Sequence, residues 1–347
     1  MPVTINGCLV PTAAEINTLQ QELFPTYLEG KLGFTTILPA KTSELSEIIL
    51  HQPDIFKGMQ SFRGLNKPAP HVKQRYNPYG TMCKVEPGYW GESDTIDEEV
   101  FTKWGQPGSC NQTLDLTWYT TQLQSRLLER RANRIEYNIW QALVYGKYVA
   151  YNQSGGIIFS QQFNIQNVSA GVPWSNFAGA FPLRDFRAIR LLGRGTSAKF
   201  NTCARAYMNQ ETANLMFANT NPFDIGRIGL SACCIPMSQG QINQQFMAQD
   251  LPQVVIYDEG WVDDDDNFNV FIPYGYVVIV GCRPGGVPIG HYWLTRNAVD
   301  CNIGSGFWQK MVDTCDREVP RKVHLYDGHN GGPAIEYPRA LVVLRVA

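Results

Sequence analysis

Four consecutive carboxylates, Asp263 to Asp266, form the densest run of metal-ligand side chains in the chain. An EF-hand calcium loop needs oxygen ligands at alternate positions, a Gly at the sharp turn and a terminal Glu. The flanks GWVDDDDNFNV supply neither, so a solvated hairpin turn is the better reading. His324 and His329 in HLYDGHNGG are five apart, not the four that set two imidazoles on one helix face for zinc. Asp327-Gly328 between them reads as a turn. Gly193-Arg194-Gly195 lacks the third Gly of a dinucleotide fingerprint and follows a helical pattern. Neither a P-loop nor a nucleophile elbow occurs. The nine Cys include no C-x-x-C pair, which argues against structural zinc. Their odd count, and an opening MPVTINGCLVPTAAE without secretory regions, predict reduced cysteines that pack, adjacent Cys233 and Cys234 among them. No catalytic, metal or cofactor residues are assigned, and the chain is read as a non-enzyme with no cofactor.

The totals restrict the partners. At 347 residues the chain can hold two domains and a sizeable core. A net charge of −2 advertises no nucleic-acid surface. No apolar run approaches the roughly 18 residues of a membrane span.

The longest pattern is LLERRANRIEYNIWQALVYGK. Its periodicity predicts a helix from about Thr117 to Tyr145, stopped by Gly146. Leu128, Ala132, Ile135, Ile139 and Leu143 fall on one face and are the predicted core side. Arg126, Arg130 and Arg134 repeat at i, i+4 on the other side, where like charges oppose each other, so the stripe is either solvated or faces acids or phosphate.

Around this helix the reading is mixed. A capping box at Thr12–Glu15 predicts a short helix ended by Pro25 and Gly30, and a second is expected from Ser43 to Leu50. Hairpins are expected over 147–166, with Ser154-Gly155-Gly156 at the turn, and over 253–281. Helices are expected at Pro182–Leu192 and in QETANLMFAN, and a last strand in YPRALVVLRVA. Hairpins and separated helices without a βαβ rhythm make the class α+β.

Residues 56–90 read as a long hairpin with segregated charge. Lys57, Arg63, Lys67, Lys73, Arg75 and Lys84 meet no acid between them; Glu92, Asp94, Asp97, Glu98 and Glu99 follow. An isolated two-stranded hairpin is marginal in water, and this one has little apolar surface to bury. It is expected to lie on another chain, its basic half against the acids of a neighbour. These eleven charged residues are the predicted intersubunit contacts.

The segment RLLERRANRIEYNIWQALVYGKYVAYNQSGGIIFSQQFNI resembles the signature of lambda-type phage major capsid proteins, the protein E family. FPLRDFRAIR with MNQETANLMFANTNPFD, and VVIYDEGWVDDDDNFNVFIPYGYVVIVG, are similar to the blocks that follow it there. The resemblance implies the Hong Kong 97-like fold. It places an N-terminal arm at 1–55, an extended loop at 56–100 and a peripheral domain with its spine helix at 101–190. An axial domain would occupy 190–300, and C-terminal strands at 301–347 would return to the peripheral domain. It further implies hexamers and pentamers in a virion shell around DNA, with scaffold, portal and decoration proteins as partners. An encapsulin-like compartment sharing the fold is the alternative, and a metal-dependent hydrolase built on the Asp run and the His pair is a more distant one.

Overall fold

The structure is a computed structural model. It describes residues 22–45, 88–97, 117–151, 156–218 apart from 178 and 197, 239–296, 306–314 and 322–347, with short pieces at 3–5, 8–10, 48–52, 81–85 and 114–115 and single residues 18, 63 and 99.

Strands β1 (Val3–Ile5) and β2 (Cys8–Val10) open the chain. Helix α1 (22–27) continues through Pro25 and closes at Gly30, whose φ of 81° suits a residue without a Cβ. The capping box at Thr12–Glu15 lies outside the described residues. A π-helical turn, Gly33–Ile37, leads to β3 (Ala40–Thr42). The helix expected over Ser43–Leu50 does not form: β4 (Ile48–Gln52) is a strand there. Its branched residues are claimed by antiparallel pairing with β5 (Thr81–Val85), a tertiary preference that overrides local pattern.

β6 (Gly88–Ile96) and β7 (Leu114–Asp115) precede α2, which spans Thr117–Tyr145. Gly146 ends it with φ 64°. The hairpin β8 (Lys147–Tyr151) and β9 (Ile157–Gln162) follows, then β10 (Gln166–Ser169) and α3 (Pro182–Leu192). Next come β11 (Arg205–Met208), α4 (Gln210–Ala218), α5 (Gln239–Ala248) and β12 (Gln253–Ile256). The hairpin β13 (Gly260–Val262) and β14 (Phe268–Val270) leads to β15 (Tyr276–Val280) and β16 (Gly290–Leu294). The chain ends in β17 (Phe307–Asp313), β18 (Val323–Ile335) and β19 (Leu341–Arg345).

Two five-stranded assemblies flank α2. In one, β18 is the hub: β17 and β6 pair with its first part, β16 with its end, and β3 extends β16. The turn read at Asp327-Gly328 is therefore the middle of the longest strand. The other runs β10-β19-β15-β11-β12. The final strand β19 thus pairs with β15 and not with β17 and β18, while β16, from the 190–300 segment, joins β18. One continuous apolar core includes α2 and strands of both sheets. The cysteines are not all reduced packing residues: Cys203 and Cys282 are joined in a disulfide, with Cα atoms 5.8 Å apart.

Candidate assembly interface

Helix α2 divides its neighbours between two faces. On the inner face Leu128, Ala132, Ile135, Ile139 and Leu143 are all buried. The same face holds polar groups that sequence reasoning missed. The Glu136 carboxylate accepts hydrogen bonds from the Gly33 and Phe34 amides at 2.8 and 3.1 Å. It also accepts from the Trp140 indole and the Tyr257 hydroxyl, both at 2.7 Å. One side chain thus ties the N-terminal segment and the end of β12 to α2. Burial pushes its carboxyl above the usual range while these donors pull it back. A Cβ on Gly33 would lie 2.9 Å from both carboxylate oxygens, so the close approach requires glycine.

One turn earlier, Arg131 donates to Asp327 of β18 at 2.9 Å, both almost fully buried. Gln309 donates to the same oxygen at 2.8 Å, and the guanidinium lies over the Phe24 and Phe307 rings. Burial shifts both partners toward their neutral forms, against their mutual attraction.

The outer face carries the arginine stripe, and it meets acids. Arg126 pairs with Asp94. Arg130 holds Glu92 with two nitrogens, at 2.5 and 3.1 Å. Arg134 lies 5.1 Å from the centre of the Trp90 ring. Four residues forward on α2 match two residues back on β6. The spacings agree because four helical residues rise about 6 Å and two strand residues about 6.6 Å. Arg130 also reaches Asp264 at 3.4 Å. Its guanidinium is held protonated above the ordinary range, chiefly by the hydrogen bond to Glu92.

Within the chain, Glu92 and Asp94 are engaged by Arg130 and Arg126. Asp97 and Glu99 are exposed, as is Arg63. Lys84 sits on β5. Lys57, Lys67, Lys73, Arg75 and Glu98 lie outside the described residues. The described part of the 56–90 hairpin is its root. β4 and β5 form a two-stranded sheet of their own, with Ile48 packed against Ala334 and Trp293 and Ile49 left 54% exposed.

The other chemistry-bearing residues take structural roles. Asp263 accepts the Asp265 and Asn267 amides with one oxygen, which closes the acidic turn and draws its carboxyl below the usual range. His324 bonds to Thr95, and His329 is buried against the Tyr292 hydroxyl at 2.9 Å. Among the described residues no group of three or more His, Cys, Asp or Glu could hold a metal, and no helix is long and apolar enough to cross a membrane.

The architecture has solved counterparts along nearly the whole chain. A prophage protein of E. coli CFT073, assigned as a capsid protein, superposes with a TM-score of 0.56 at 16% identity, over 94% of this chain and 99% of that one. A phage-related protein from Bordetella bronchiseptica RB50 gives 0.54 at 11% identity, over 93% and 95%. A chain of Mycobacterium phage Patience gives 0.50 at 12%, over 100% and 94%. The fold is that of tailed-phage capsid proteins. No family model and no curated protein matches the sequence.

On this capsid fold the exposed apolar residues stand out, and periodicity did not find them. Ile157 and Ile158 at the tip of the β8–β9 hairpin are 64% and 70% exposed, beside half-exposed Tyr151. Adjacent isoleucines next to a Ser-Gly-Gly turn were the available signal: alternation should have placed one of them inside.

Proposed function

We propose that the chain is the major capsid protein of a tailed phage, assembling as hexamers and pentamers into an icosahedral head around double-stranded DNA. The observation that carries the reading is the β4–β5 arm on a fold shared with capsid proteins. Its two strands pair only with each other along the ladder, and such a ribbon needs a further surface to be stable. A neighbouring subunit supplies it. In this reading α2 is the spine of the peripheral domain, residues 1–55 form the N-terminal arm, and the extended loop projects between β4 and β6. The sheet containing β11, β12 and β15 is the core of the axial domain at 190–300. The C-terminal strands are shared, β17 and β18 with the peripheral domain and β19 with the axial sheet.

Scaffold, portal and decoration proteins are the partners such a shell requires, and packaged DNA is met by non-specific contacts. The mature location is the virion, after assembly in the host cytoplasm. Binding energy repeated over many copies does the work, with no chemical step. The test is expression of the full chain followed by sedimentation and negative-stain microscopy, with and without co-expressed scaffold. Closed shells are expected; a chain that stays monomeric throughout, at any salt or concentration, overturns the reading.

A further inference from the structure

The axial sheet has unlike ends. Where β11 and β12 begin, a cleft of about 760 Å³ is lined by Arg184, Arg187, Arg190, Arg194 and Lys199, with Asp250 as its lone carboxylate. Asp250 is taken by Arg190 at 2.7 Å, and Arg187 donates to Gln249 at 2.9 Å. Arg184, Arg194 and Lys199 are exposed; Arg184 lies near the Asp185 carboxylate, and Arg194 and Lys199 make no side-chain hydrogen bond or ion pair among the described residues. Lys199 is fixed in place by backbone bonds to Cys282, beside the Cys203–Cys282 link. Where the same two strands end, the exposed acids are Glu211, Asp258 and Glu259, and the Asp263–Asp266 turn follows one short strand later.

Each end also has an apolar centre. Leu191 and Leu192 are 50% and 39% exposed beside the arginines. Val262 and Phe268, a cross-strand pair flanking the acidic turn, are 57% and 60% exposed. An apolar centre with a charged rim is the anatomy of a protein interface, whereas a phosphate backbone asks only for the cations. A ring of identical subunits needs two different, complementary patches on each copy, and these ends provide them.

We infer that the arginine cleft of one subunit receives the acidic β13–β14 turn of the next, and that this contact sets the head-to-tail order within a capsomer. The inference rests on the shell reading above and names the surfaces that reading leaves open.

Charge reversal tests it. One variant carries Arg194→Glu with Lys199→Glu, the other Asp264→Lys with Asp265→Lys. Each alone should keep the melting temperature close to wild type, the second giving up only the exposed Arg130–Asp264 contact, yet weaken capsomer formation at least about ten-fold at low salt. Mixed in equal amounts they should recover six-membered rings, since every contact in an alternating ring is again complementary. Five-membered rings should not recover, because alternation closes only on an even number. If a reversal unfolds the chain, Arg194→Gln with Lys199→Gln replaces it and should weaken rings in the same direction. Wild-type assembly by both variants overturns the cleft and leaves the shell reading standing. Wild-type chains that never associate overturn both. A cleft variant that assembles normally but loses affinity for a short DNA duplex shows the groove to be a nucleic-acid site and overturns the inference.

Discussion

Helix α2 makes the same chemical pair twice, in two environments. Arg131 and Asp327 meet inside, with side chains 2% and 3% exposed; Arg130 and Glu92 meet outside, with 48% and 47% exposed. The outer pair has two hydrogen bonds to the carboxylate and would be judged the better by geometry alone. Energetically the order reverses when a partner is lost. Removing water from two ions costs several kcal/mol each, and their attraction repays that only while both are present. Outside, water replaces a missing partner at little cost, so an exposed pair contributes about 0–1 kcal/mol. The inner face therefore specifies one arrangement of the subunit. The outer face holds β6 in place and can release it cheaply.

The largest effect should come from breaking the inner pair on one side. Asp327→Ala takes the carboxylate away from a buried guanidinium and should cost about 3–5 kcal/mol in chemical denaturation. Arg131→Met combined with Asp327→Leu should recover most of that loss. A single variant within 1 kcal/mol of wild type, roughly a surface value, would remove the distinction between the faces.

Next is the Glu136 hub. Glu136→Gln keeps the shape but turns an N–H toward a site where every neighbour is a donor. Leaving a buried donor unsatisfied costs about 1–3 kcal/mol. Unchanged stability would show that water or a rotated Tyr257 already shares the load.

The interior was the less legible half of the sequence, for specific reasons. The 3.6-residue apolar repeat of α2 declared its length and its buried face, and Gly146 declared its end. No local signal marks Glu136, since its amide partners at Gly33 and Phe34 are 103 and 102 residues away. β18 was hidden by its own composition. Gly328 read as a turn residue, yet it and Gly331 clear space: a Cβ on Gly328 would lie 2.4 Å from the Trp308 ring, and one on Gly331 2.7 Å from the Trp293 carbonyl. Pro333 falls where β18 pairs with β16 alone, a position that tolerates a missing N–H. The arginine stripe left open whether water or acids face it, and that Glu92 and Asp94 of the same chain do so depends on the β6–β18 register.

A pH titration sharpens the interior side. His329 is depressed well below its ordinary 6.5, first by burial and then by the charges of Arg131 and Arg134. Below pH 6.5 the unfolded chain takes up a proton that the folded one refuses, so stability falls as pH drops through that range. The slope from this one group is at most about 1.4 kcal/mol per pH unit, and it ends at the depressed folded value. Melting temperatures of His329→Gln should fall less steeply than wild type from pH 6.5 downward. Parallel profiles would mean that the imidazole is hydrated and already able to protonate.

The smallest effect is the sharpest test of the outer face. In a double-mutant cycle of Arg130→Ala and Glu92→Ala, the coupling should be about 0–1 kcal/mol at low salt. It should fade toward zero as the Debye length shrinks from about 10 Å at 0.1 M salt to about 3 Å at 1 M. The same cycle on Arg131 and Asp327 should give a larger coupling that salt hardly changes, because no counterions reach it. Arg134 supplies a control within the stripe: its Trp90 partner carries no charge, so Arg134→Ala should show a weaker salt dependence than Arg130→Ala. An Arg130–Glu92 coupling above about 2 kcal/mol, or one that persists at 1 M salt, would mean that β6 is clamped to α2 as firmly as the core. β6 would then be a rigid part of the α2 face, and the contrast between the two faces of the helix would disappear.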